Sequence, residues 1–321
     1  MPGTGADAAS VRREWRIGEF GKEGTRLQAQ GGSRFAAWLV FLGGASYGVV
    51  SPLVKYAYQN GFTVTDITVA QFYYATVILW LLVAASYRAG RGRYALTRRN
   101  FAKLVGLGVV GSLTSITYYK ALSGLPAWLA VILIFQFAWI TFLVQFIMTR
   151  KRPRRWEWYG IILVVAGTVF ANIGGIQRDP HATWTGVFLG LISAVSYALF
   201  LYFNAGMDTS APPLYRSAII STVSAIAITF VFPPHAVFFL HNLHGLWVYG
   251  VLVGLFSQAI PTTLFAAGIP RTGGGAAAIL SSVELPVAVL LSAWWLGESV
   301  QWSGWFGVAM IFAGIAAGQR V

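Results

Sequence analysis

No cysteine occurs in the 321 residues, which excludes disulfides and thiolate chemistry. Charge is scarce too: 10% of the chain is Asp, Glu, Lys or Arg, against about 25% in a soluble domain. The aspartates are Asp7, Asp66, Asp179 and Asp208, all in loops or at helix ends. An intramembrane aspartyl protease needs two that face each other at membrane depth, so that chemistry is missing. His181, His235, His241 and His244 all fall between apolar stretches. Ser/His catalysis inside a membrane is therefore excluded, and no metal site is expected. No GxxxxGK[ST] stretch exists, so the chain does not hydrolyse ATP. No cofactor is expected, and an intramembrane enzyme is only the distant alternative.

What is abundant is apolar surface. The chain is 56% hydrophobic, with 13 Trp, 22 Phe and 36 Gly. A membrane-spanning helix needs roughly 20 mostly apolar residues, and about ten runs approach that length. They cover 35–58, 67–87, 101–123, 126–149, 156–173, 184–203, 214–232, 246–269, 275–296 and 302–318. In lipid such runs must be helical, because unpaired backbone groups there are too costly. The pattern predicts an all-α integral membrane protein.

The net charge of +13 is distributed by side. Basic residues collect before the first run, between the second and third (Arg88 to Lys103), and at 150–155, where five of six residues are Lys or Arg. Arg271 and Arg320 continue the series, and Lys55, Lys120 and Arg178 are nearly all that remains for the other side. Cytoplasmic loops gather Lys and Arg, so both termini are expected in the cytoplasm of a cell (inner or plasma) membrane. Anionic headgroups are the expected neighbours of the basic loops. Nucleic acid is not an expected partner, because these charges sit between spans. The tail 1–34 lacks an apolar core of its own and is expected to be disordered. The first run is a full span without a small-residue cleavage site, so no signal peptide is expected.

The chain also repeats. Gly160 and Gly167 match Gly307 and Gly314, and Trp158 matches Trp305, each 147 residues on. "AVILIFQFAW" from Ala130 pairs with "AAILSSVELPV" from Ala277, and "ASYG" from Ala45 with "VSYA" from Val195. Two five-helix units follow, over 35–175 and 183–320. An odd number of spans inverts the second unit, and "LGESVQ" accordingly replaces the basic "TRKRPRR" of the first. Inverted repeats are a common plan of secondary transporters, which hold substrate near midplane between the repeats.

The stretch "VELPVAVLLSAWWLGESVQWSGWFGVAMIFAGI" from Val283 resembles the closing signature of the EamA family, in the drug/metabolite transporter superfamily. That signature has a Glu-Pro in the ninth helix, a Gly-Glu at its end and a Gly-rich tenth helix. "GASYGVVSPLVK" from Gly44 resembles the opening of the first repeat. Leu285 separates Glu284 from Pro286, where the family has them adjacent. Gln71 stands where the first repeat often has an arginine, while Arg216 keeps that position in the second. The resemblance implies two inverted five-helix EamA repeats and transport of small molecules.

Candidate substrate-binding residues follow from polarity at membrane depth. Glu284 lies about ten residues into the ninth run, where a charge costs at least a few kcal/mol and normally faces a cavity or a partner. Pro286 removes an amide and frees the carbonyl of Ser282. Glu284 either meets substrate, loading and releasing a proton, or caps that freed backbone. Gln136 sits at nearly the matching place in the fourth run, to bond Glu284, substrate or a neighbouring helix. Lys120, after Tyr119, pairs with a carboxylate or snorkels to the interface. Tyr47 and Tyr197, beside Ser46 and Ser196, occupy matched positions and are expected to face each other across the pseudo-twofold. Gln258 with Pro261 forms a second polar break, and Pro52 a third helix break. Trp38 and Trp139 either line the path or anchor at the interface. Gly160, Gly167, Gly307, Gly314 and Gly318 form small-residue faces, for packing within the chain or for a homodimer. The function expected is export of small metabolites, amino acids or toxic organic compounds, with import of an organic nutrient or cation as the alternative.

Overall fold

The computed structural model describes residues 34–50, 52–54, 56–57, 59–88, 96–122, 130, 133–150, 152–172, 183–232, 245–295 and 301–318. The N-terminal tail, Lys55 and the four histidines lie outside these residues, as does the packing of Gly318. Among the described residues there are helices and turns and no strand. The described residues include the helical spans α1 (Arg34–Val54), α2 (Val64–Arg88), α3 (Arg98–Leu122), α4 (Phe137–Thr149), α5 (Arg155–Asn172), α6 (Trp184–Ala205), α7 (Pro213–Val231), α8 (Leu246–Thr272), α9 (Gly274–Trp295) and α10 (Trp302–Gly318). Seven of them, α1 to α3 and α6 to α9, are long and apolar enough to cross a membrane, and α4 and α10 are shorter apolar helices.

Local chemistry sets the ends. Before α2, Thr63 and Asp66 bond each other reciprocally: Thr63 N–H and Oγ1–H donate to Asp66 Oδ2, and Asp66 N–H donates to Thr63 Oγ1. That is a capping box, which satisfies amides that have no helical partner. α4 ends where Arg150 turns left-handed at φ 59° and donates its N–H to the carbonyl of Phe146. Glu157 then accepts from the Arg154 amide at 2.7 Å and starts α5.

The two repeats are related by mirrored contacts. Ser46 of α1 donates to the carbonyl of Phe256 in α8, and Ser196 of α6 donates to that of Val110 in α3. A Cβ at Gly167 would lie 2.7 Å from the carbonyl oxygen of Gly307, and one at Gly314 would lie 2.9 Å from that of Gly160. The glycine faces thus pack α5 against α10 within one chain. Such contact lets helix backbones approach without side chains between them.

Loop contacts fix the relative orientation. Phe62, after α1, meets Tyr249 near the start of α8 with ring centroids 5.3 Å apart, and Tyr56 stacks on Trp295 at the end of α9. Asp208, after α6, accepts from Asn100 at the start of α3. α1 and its matched helix α6 therefore end on opposite sides, as inverted repeats require. Arg98, Arg99, Lys103, Arg150, Arg152, Arg154, Arg155 and Arg271 all fall on the Asp208 side, at the ends of helices that meet there.

Candidate functional site

α9 is two helices, not one. It runs Gly274–Ser281, turns at Ser282 and Val283, and resumes over Glu284–Trp295. Pro286 has no amide to continue the ladder. The carbonyl of Ser282 accepts instead from Leu285 N–H at 3.3 Å, and that of Val283 from Val287 N–H at 3.1 Å. Ser282, fully buried, turns its hydroxyl back to the carbonyl of Ala278. The break is thus satisfied by its own backbone, and Glu284 is not used to cap it.

α1 lies directly on this break. A Cβ at Gly44 would come within 2.7 Å of Ser281 Cα, and one at Gly48 within 2.6 Å of the Glu284 carbonyl oxygen. Only glycine allows so close a backbone approach. Between them on α1, Tyr47 brings its hydroxyl within electrostatic reach of the Glu284 carboxyl. Tyr119 from α3 and Tyr197 from α6 reach the same carboxyl. Four helices therefore converge on it, and the matched pair Tyr47 and Tyr197 are electrostatic neighbours. Glu284 is half-buried, and its carboxyl makes no hydrogen bond or ion pair among the described residues.

Aromatic neighbours hold the phenols. Phe137 meets Tyr197 edge-on at 4.6 Å, Phe200 lies 6.3 Å from Tyr197, and Phe265 lies 5.9 Å from Tyr47. The Tyr197 hydroxyl is buried beside the Ser281 side chain. By contrast, Tyr119 accepts from Gln71 Nε2 at 3.2 Å, and Gln71 Oε1 accepts from Ser257 at 3.1 Å. Gln71 and Ser257, both buried, are site neighbours that the sequence reading left out. The available clue was a polar residue mid-run in α2, at the place where the family's first repeat often has arginine.

The second polar break is a π turn. α8 widens over Leu255–Ala259, and Ile260 N–H bonds the carbonyl of Leu255. In that five-residue register the carbonyl of Phe256 would await the amide of residue 261, which is proline. Ser46 of α1 donates to it at 2.8 Å instead. Gln258 is buried in the turn, and its amide makes no hydrogen bond among the described residues. π turns inside α-helices often mark functional sites.

Gln136 lies in the turn before α4 and accepts from its neighbour Trp139 at 2.7 Å. Trp139 and Trp38 are 40% and 61% exposed. Lys120 is exposed in the last turn of α3. At Pro52 the span runs on to Val54.

Two family repeats match this arrangement: a model of the EamA-like transporter family fits residues 34–173 and again 184–317. The chain belongs to the EamA-like transporter family. It is a multi-pass membrane protein by that membership and by its apolar helices. An uncharacterized transporter of Bacillus subtilis, YwfM, is 27% identical over 176 residues, which is 54% of this chain and 57% of that protein. The match thus spans less than two thirds of the relative's length. A solved crystal structure at 16% identity superposes with a TM-score of 0.71, over 90% of this chain and all of that one, a likeness of fold alone. Discontinuous spans of this kind recur in secondary transporters.

Proposed function

We propose that this EamA-like protein is a secondary exporter of small organic solutes that works by alternating access around a site at Glu284. The observation that carries this is the half-buried, unpaired carboxyl at a helix break, ringed by Tyr47, Tyr119 and Tyr197 from three other helices. An ionisable group at membrane depth costs several kcal/mol unless something answers it. A solute, a proton, or both in turn, answer Glu284. One tyrosine comes from each repeat at matched positions, so rocking one repeat against the other moves both walls of the site. Gln71, Ser257 and Gln258 form its polar floor, with Ser282 and Pro286 at the break and the π turn before Pro261 as the flexible points. Glu284 loads and releases a proton as the site turns from one side to the other. Both termini lie in the cytoplasm of the cell membrane, and the basic ends of α3, α4 and α5 sit against anionic headgroups.

The test is a solute screen by counterflow in proteoliposomes, with and without an imposed pH gradient. Exchange of at least one small organic solute, accelerated by the gradient, is expected. No exchange across metabolites, amino acids and toxic organic compounds would count against the proposal.

A further inference from the structure

We infer that the solute taken at Glu284 is an organic ammonium: a protonated amine carried on an apolar or aromatic body. The inference rests on the transport reading above and names the substrate class of the same site.

The chemistry of the ring is one-sided. Its one acidic side chain is the Glu284 carboxyl, which carries a negative charge whenever its proton is off. The groups that reach it, the hydroxyls of Tyr47, Tyr119 and Tyr197, are dipoles rather than charges. No lysine or arginine among the described residues pairs with Glu284. Arg216, the buried guanidinium of the second repeat, is committed elsewhere, to the carbonyl of Ala266 in α8. An anionic solute would add a second negative charge to an uncompensated one. A neutral solute would give the charge no partner and leave the carboxyl to a proton. A cation offsets it.

The hydrogen-bonding inventory narrows the cation further. An alkylammonium carries three N–H donors and no acceptor. The carboxylate accepts one, and phenolic oxygens accept others. The Tyr197 hydroxyl, beside the Ser281 side chain, and the Tyr47 hydroxyl both lie within electrostatic reach of the carboxyl. The rings of Phe137, Phe200 and Phe265 pack against these phenols, so the surroundings of the carboxyl are apolar and suit a solute with an apolar body.

Benzylammonium is the probe, titrated calorimetrically into the purified full chain in detergent, with benzyl alcohol and benzoate as neutral and anionic counterparts. Benzylammonium should bind at least about tenfold tighter than benzyl alcohol, the scale of one charge-assisted bond, and benzoate should not bind. Glu284→Gln should reduce benzylammonium to the level of the alcohol. Glu284→Asp keeps the charge and should keep the preference for the ammonium, and Tyr197→Phe should weaken it by a few-fold. Equal or tighter binding of alcohol or benzoate would overturn the inference, as would no ammonium binding, or unchanged ammonium affinity in a folded Glu284→Gln variant. If proteoliposomes exchange a neutral or anionic solute but not an ammonium, the substrate class is wrong while the transport reading stands. If they exchange nothing, both fall.

Discussion

Arg216 donates through Nη2 to the carbonyl of Ala266, the acceptor that Pro270 strands inside α8. Four residues after Ala266, a helix needs an amide, and proline has none. A fully buried arginine from α7 supplies the missing donor, while its Nε and Nη1 stay unpartnered. The pair ties α7 to α8 on the basic side of the molecule. Arg216→Met should therefore be costlier when Pro270 is present than in a Pro270→Ala background. A double-mutant cycle read by thermal melting in detergent should give a coupling of about 1 kcal/mol. Strict additivity would mean that the bond carries no stability.

Gly44 and Gly48 set α1 against the break in α9. Neither has room for a methyl: the backbone of Ser281 is in the way at Gly44, and the Glu284 carbonyl and the Val287 side chain at Gly48. Gly48→Ala should lower stability by about 1–3 kcal/mol through overpacking and reduce transport with it. Gly106→Ala, where nothing lies within 4 Å of the added carbon, is the control and should be silent. Equal melting temperatures for the two variants would contradict the packing described.

Asp208 gives the protein an acid-sensitive joint outside the spans. The Ser210 amide at 2.9 Å, and Asn100 Nδ2 at 2.6 Å, hold its carboxyl below the ordinary aspartate value of 3.8. A folded value lower than the unfolded one stabilises at higher pH, and that stabilisation is lost as protonation begins. It should be complete above about pH 4 and fade below 3.8. Melting curves of wild type and Asp208→Asn should differ near neutrality and converge as pH falls through that range. A difference that grows on acidification would reverse the sign.

Orientation is testable because the chain has no cysteine of its own. A single cysteine at exposed Asn60, after α1, should react with an impermeant maleimide in intact cells. One at exposed Arg152, between α4 and α5, should not. The opposite pattern would invert the topology. Arg154→Gln with Arg155→Gln should alter expression more than apparent affinity.

Much of this was legible in the sequence because lipid leaves few choices. Apolar length alone gives the helices, and glycine spacing gives the repeat, since Gly160 and Gly314 must face each other for α5 and α10 to touch. Glu284 stands out for the same reason: a charge in an apolar run has no cheap explanation. Contacts between helices far apart in sequence were not legible. Nothing local tells that Gln71 bonds Tyr119 and Ser257, or that Ser46 finishes the hydrogen bonding of a π turn in α8. Ser282 and Pro286 mark a break, but which group satisfies the freed carbonyl depends on the turn geometry, and Leu285 does so. Trp38 and Trp139 read equally as lining or anchor, because an aromatic residue carries no sign of which face its helix buries.

The account rests most heavily on the carboxyl of Glu284, and one comparison tests it most directly. Proteoliposomes containing wild type or Glu284→Gln are loaded with the solute that scores in the counterflow screen, and a pH gradient is then imposed. Wild type should move the solute uphill; the variant should fold, with a melting temperature near that of wild type, and fail to do so. Full gradient-driven transport by Glu284→Gln would contradict the account.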